Sequence, residues 1–147
     1  MIFRAISCLK WLPRTGPASG SLNSSSSHSK DERSSGRRGF KDEKLLCGST
    51  DGTLACVDCT GRLFAATKVD CSIRTLCISQ DGRAAFGGCE DGSIRVWAIT
   101  DHGGALREIF RYPRAHDGVC ASLAIHKNLL VSGGDDGAIR IWRVLCS

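Results

Sequence analysis

No run of apolar residues in this 147-residue chain approaches the ~18 needed for a membrane-spanning helix, so a helical membrane span is not expected. Arg4, Lys10 and Arg14 break up the N-terminus, which leaves no continuous apolar region of the kind a secretory signal needs. Acids are missing from the start of the chain, where Asp31 is the first. A sustained helical period is missing as well: apolar residues alternate or run together over short stretches instead of recurring at every third and fourth position. What is there, 41% hydrophobic and 24% charged residues, is the composition of one globular domain rather than of a wholly disordered chain.

The net charge of +5 is unevenly placed. Residues 1–40 hold seven Lys or Arg against two acids, whereas residues 41–147 hold thirteen of each. A basic field that attracts nucleic acid can therefore come only from the first 40 residues, and the rest of the chain has to recognise partners by shape and local contacts. Nine cysteines are many, yet they sit mostly inside apolar runs such as Leu45-Leu46-Cys47 and Thr75-Leu76-Cys77-Ile78, and an odd number cannot pair completely within one chain. They read as buried, reduced, small hydrophobes, and a reducing compartment, cytoplasmic or nuclear, is the expected location.

Residues 15–39 contain nine serines and four glycines, with Leu22 the one large apolar side chain among them. Such a segment cannot bury enough surface to offset the ~1–2 kcal/mol per residue that backbone ordering costs. Residues 1–40 are thus expected to be a disordered, basic, low-complexity tail ahead of a folded unit at 41–147. The acid-poor, Arg-bearing start also fits a mitochondrial transit peptide, the lesser of two readings beside a segment without a targeting role.

From Phe40 onward, three segments align without gaps: Ser49 to Val57, Cys89 to Trp97 and Gly134 to Trp142, with spacings of 40 and 45 residues. Each carries an Asp-Gly pair (Asp51-Gly52, Asp91-Gly92, Asp136-Gly137) between two apolar runs, the pattern of a hairpin whose tight turn needs positive φ. These hairpins give six strands. Four further runs, 62–68, 73–79, 107–112 and 119–126, have strand length and character, so about ten strands are expected in an all-β repeat.

A period of this length, four strands per period and Asp-Gly ahead of a strand ending in Trp resemble the WD-repeat family of β-propellers over residues 41–144. The best copy is the last, where Ala115-His116 stands for the family's Gly-His. The resemblance implies a buried hydrogen-bonded tetrad of His116, Ser132, Asp136 and Trp142, with a structural role. In the second copy Asp91 and Trp97 are present, but Gly87 takes the serine place and the histidine place falls near Asp70. In the first, Asp51 is present, while Cys47 and Val57 take the serine and tryptophan places. Neither tryptophan of the repeats is followed by Asp.

Three chemical readings are weaker. Ser132, His116 and Asp136 are the residue types of a nucleophilic triad, but no Gly-x-Ser-x-Gly elbow surrounds the serine. Cys56-Val57-Asp58-Cys59 has the spacing of a zinc half-site, but no second such pair or paired His follows, so no metal site is expected. Gly87-Gly88 and Gly133-Gly134 precede Asp-Gly turns rather than a helix with a following Lys, so no phosphate-binding loop and no cofactor are expected.

The strands group as three, four and three, a partial propeller of about two and a half four-stranded blades, fewer than the four to eight that close a ring. Open edges and apolar faces then call for further blades from the same or another chain, and truncation of a longer product is the favoured explanation. The expected function is a non-catalytic scaffold presenting propeller loops to other proteins, with Arg111, Tyr112 and Arg114 as candidate contacts because Tyr and Arg dominate interface hot spots. Arg95 and Arg140 fall at equivalent strand positions and read as rim residues with packed stems. The alternative is nucleic-acid or ribonucleoprotein association through Lys30, Arg33, Arg37 and Arg38 of the tail.

Overall fold

The computed structural model describes residues 5–13 and 43–145. Within them, strands β1 (Ile6–Trp11), β2 (Lys44–Ser49), β3 (Thr53–Asp58) and β4 (Leu63–Lys68) form one antiparallel sheet in that order. Strands β5 (Ile73–Ile78), β6 (Ala84–Cys89), β7 (Ile94–Thr100) and β8 (Ala105–Tyr112) form a second, and β9 (Cys120–His126), β10 (Leu129–Gly134) and β11 (Ile139–Arg143) a third. The three sheets are successive blades of a partial propeller. No helix among the described residues is long and apolar enough to cross a membrane.

The Asp-Gly pairs make the β2–β3, β6–β7 and β10–β11 turns for a local reason. Each aspartate accepts the backbone N–H two residues on, at 2.9 Å from Thr53 to Asp51, 2.9 Å from Ser93 to Asp91 and 3.1 Å from Ala138 to Asp136. This side-chain turn hands the chain to a glycine in the left-handed region. At Gly92, φ is +81° and a Cβ would lie 2.1 Å from the His116 carbonyl oxygen, so only glycine fits where the next blade's connector crosses.

Side chains alternate along each strand, so a blade has two apolar faces. Ala85, Trp97 and Ile99 of the second blade pack with Leu46, Leu54 and Cys56 of the first. Its opposite face, Phe86, Ile94 and Val96, packs with Cys120, Leu123 and Leu130 of the third. The second blade thus hides both of its faces, one against each neighbour.

One expectation is corrected here. Ile6–Trp11 is not part of a disordered tail; it is the opening strand of the first blade, which therefore has four strands rather than three. Its pairing runs antiparallel to β2, from Ile6 opposite Ser49 to Trp11 opposite Leu45. The strand is held at both ends, by Thr50 N–H donating to Ala5 at 3.0 Å and Leu12 N–H donating to Lys44 at 2.9 Å. Ser7 Oγ also donates to the Gly48 carbonyl at 3.1 Å and to that of Ile73, tying the first blade to the second. Leu12 enters the core beside Leu46 and Ile99. The serine-rich segment 15–39 lies outside the described residues.

Candidate functional site

The end of the propeller that carries the Asp-Gly turns also carries the connectors entering each blade, so its chemistry collects there. In the third blade, His116 on the connector, Ser132 on β10, Asp136 in the turn and Trp142 on β11 are brought together. His116 Nδ1 lies 2.9 Å from Asp136 Oδ1, His116 Nε2 lies 2.8 Å from Ser132 Oγ, and the Trp142 indole N–H donates to Ser132 Oγ at 2.9 Å. Ser132 Oγ accepts from the indole and bridges it to Nε2, while Nδ1 faces both the Asp136 carboxylate and Arg140 Nη1, the latter at 2.7 Å.

His116 is 2% exposed with both ring nitrogens engaged, which leaves no open nitrogen for proton transfer to a substrate. Arg140 donates to Asp136 Oδ2 at 2.8 Å, and Asp117 N–H donates to the same oxygen at 3.1 Å. The Arg140 guanidinium, followed by the His116 contact, holds the Asp136 carboxyl well below the usual aspartate range.

The second blade replaces this network. The bond from Val69 N–H to Gly52 (2.9 Å) is the counterpart of that from His116 N–H to Gly92 (3.0 Å), so Val69, not Asp70, holds the histidine place. The shift arises because the β5–β6 turn, 79–83, is three residues longer than the β9–β10 turn at 127–128 while β5 is one residue shorter than β9, which sequence spacing alone cannot locate. With Gly87 at the serine place, the Trp97 ring lies directly over it: a Cβ on Gly87 would come within 2.6 Å of the indole. Trp97 is fully buried, and its N–H has no partner among the described residues. Asp91 is held by Ser93, whose hydroxyl donates at 2.5 Å, and by Arg111 at 3.1 Å.

Arg95 and Arg140, equivalent in sequence, differ in surroundings. Arg95 is 5% exposed and ion-paired with Asp70 and Glu108, while Arg140 is partly exposed on Asp136. In the first blade Asp51 makes its turn, and Cys47 is buried at the serine place. Of the candidate contact residues, Arg111 and Arg114 are exposed, whereas Tyr112 is half-buried, with its ring 4.5 Å from Phe110 and 4.9 Å from Trp142, in the seam between second and third blades.

The cysteines are mostly interior. Burial pushes the Cys56 and Cys120 thiols up to about 11 and that of Cys77 to about 12, so these remain protonated at neutral pH. Of the Cys56-x-x-Cys59 pair, Cys56 is buried in β3 and Cys59 is exposed in the turn beyond it, and among the described residues no third ligand joins them. The rim carries more carboxylates than cations, with Lys68, Arg111, Arg114 and Arg140 among them. Asp51, Asp70 and Glu90 line an open cleft of about 590 Å³ between the first two blades, and Asp117 and Asp135 extend the rim along the third.

Antiparallel blades of four, four and three strands packed face to face, with a His-Ser-Asp-Trp tetrad in the third, define a propeller-type repeat protein. The description "WD domain, G-beta repeat" matches residues 58–98 and 107–143, and the chain belongs to this WD-repeat family. Among its relatives is WD repeat-containing protein 70 of Xenopus laevis, 29% identical over 117 residues, which cover 71% of this chain and 18% of the relative. The chain thus spans under a fifth of that protein's length. Among solved structures, the computationally designed Ika4 protein is 27% identical with a TM-score of 0.59, over 72% of this chain and 63% of that one. The C-terminal WD40 domain of Sif2, 19% identical, superposes with a TM-score of 0.63 over 73% of this chain and 32% of that one, and shares the fold. WD-repeat proteins are generally non-catalytic scaffolds for protein interaction.

Proposed function

We propose that this chain is a non-catalytic interaction module that holds a partner protein against its carboxylate-bearing loop rim. One observation carries the reading: the best-formed polar constellation, at His116, is closed on itself and buried, while exposed carboxylates at Asp70, Glu90, Asp117 and Asp135 stand on the turns and connectors of the same end, beside Lys68, Arg111 and Arg114. A closed tetrad fixes the loops, and fixed loops lose little entropy when a partner binds. A partner segment bearing Lys or Arg is the complementary chemistry for Asp51, Glu90 and Asp117. The buried, protonated thiols support placing the module in a reducing compartment, cytoplasmic or nuclear.

Proximity labelling in cells tests this. Replacing Glu90 and Asp117 together by Lys is expected to lose partners that the unaltered chain labels, whereas Gln80→Lys at the opposite end keeps them. The same labelled set from both variants would sink the reading. Nucleic-acid association through the basic residues of 1–40 predicts a different result: binding that falls steeply between low and moderate salt and is indifferent to Glu90.

A further inference from the structure

At the place where the third blade keeps its histidine, the second blade has collected sulfur. Backbone hydrogen bonds fix the correspondence: Glu90 N–H donates to Ser72 at 2.9 Å as Asp135 N–H donates to Val119 at 3.0 Å. Together with the match of Val69 to His116, this sets Cys71 against Gly118 and Cys89 against Gly134. The two glycines are spaces. A Cβ on Gly134 would lie 2.4 Å from His116 Nδ1, so the imidazole occupies the room a side chain there would need. In the second blade Val69, which is apolar, stands at the histidine place, and cysteines stand at both glycine positions. Their Sγ atoms and an Asp91 carboxylate oxygen all lie within 4.8 Å of one another.

We infer that Cys71, Cys89 and Asp91 form a binding site for a thiophilic divalent cation of the zinc class, open to the cleft between the first and second blades. Two thiolates and a carboxylate are three of the four ligands of a tetrahedral zinc site, and the cleft leaves room for a water as the fourth. Cys89 is buried and Cys71 half-buried, so one sulfur anchors the ion and the other faces its route of entry. Asp91 is already aimed: Ser93 N–H and hydroxyl fix Oδ1, and Arg111 takes one lone pair of Oδ2, leaving another for the ion.

A second observation is independent of this geometry. The buried Arg95 Nε has no acceptor among the described residues, and the arginine's charge is felt by both thiols. Arg95 does not repel the ion as an isolated cation, because Asp70 and Glu108 neutralise it. Without an ion, burial raises both thiols; Cys71 further opposes ionisation of Cys89, whereas the hydrogen bond from Cys89 favours that of Cys71. Binding is therefore an exchange in which two S–H protons leave for solvent and two metal–sulfur bonds form.

The test uses the full chain, reduced and titrated with Co²⁺ as a probe. The expected result is one ion per chain with a thiolate-to-cobalt charge-transfer band, displaced by Zn²⁺, and about two protons released per ion bound. Cys71→Ser abolishes the band, Cys59→Ser leaves it, and Ser93→Ala weakens binding by ~10–100-fold, as removal of a group that orients a ligand does. A readout without substitution guards against a misfolded variant: Zn²⁺ slows alkylation of Cys71, and a chelator restores it. Absence of the band, its survival in Cys71→Ser, or alkylation of Cys71 indifferent to Zn²⁺ overturns the site.

Discussion

Individual side chains at the loop rim do different work in two blades of similar sequence. In the third, the polar groups satisfy one another, and Asp136 is the node, accepting from Arg140, His116, Asp117 and Ala138. Those bonds lower its carboxyl from the ordinary 3.8. A carboxyl lowered in the folded state contributes stability that is fully present above its unfolded value and is lost as pH falls through the folded one. Asp136→Asn cannot titrate. Urea unfolding of the two proteins should therefore differ most at neutral pH, with the gap narrowing as pH drops below ~4. A gap that stays constant down to pH 3 would show that Asp136 does not supply this linkage. In the second blade the same positions abandon the network: Val69 is apolar, and the Trp97 ring fills the space over Gly87, so burial of a large aromatic takes over from hydrogen bonding.

At the scale of strands, the repeat was readable because each Asp-Gly turn is specified by two adjacent residues whose conformational preferences are local. The His116, Ser132, Asp136 and Trp142 set was legible for the same reason, each member lying at a fixed offset from its turn. What lay hidden needed contacts between distant segments. Ile6–Trp11 is separated from its partner β2 by residues 12–43, and nothing in an isolated six-residue segment with few acids tells a strand from a leader. The Cys71–Cys89–Asp91 cluster escaped because its sulfurs are not spaced as Cys-x-x-Cys; a longer turn and a Val at the histidine place bring them together. Deletion of residues 1–13 checks the assignment of β1. It should expose the edge of β2, remove the buried Leu12 and cost at least the ~2 kcal/mol of a lost core leucine, read as a lower urea midpoint. An unchanged midpoint would return Ile6–Trp11 to the tail.

For the molecule as a whole, the decisive feature is a face that one blade buries and another leaves bare. Ile94 and Val96 on β7 are 0% and 7% exposed because the third blade covers them, whereas their counterparts Ile139 and Ile141 on β11 are 78% and 69% exposed. Leu145 beside them is exposed too. Two β-branched side chains on an exposed strand edge give a surface that water opposes and backbone pairing favours. In a longer chain a further blade would cover it. In the 147-residue chain by itself, the same physics drives self-association. Sedimentation of the purified chain should show species heavier than a monomer whose fraction grows with concentration. Replacing Ile139 and Ile141 together by Ser should return it to the monomer without altering its far-ultraviolet circular dichroism, since neither side chain supports the core. A chain that sediments as a monomer at every concentration, with both isoleucines in place, would mean that this face is tolerated in water, and blade packing could not then be the force that drives assembly.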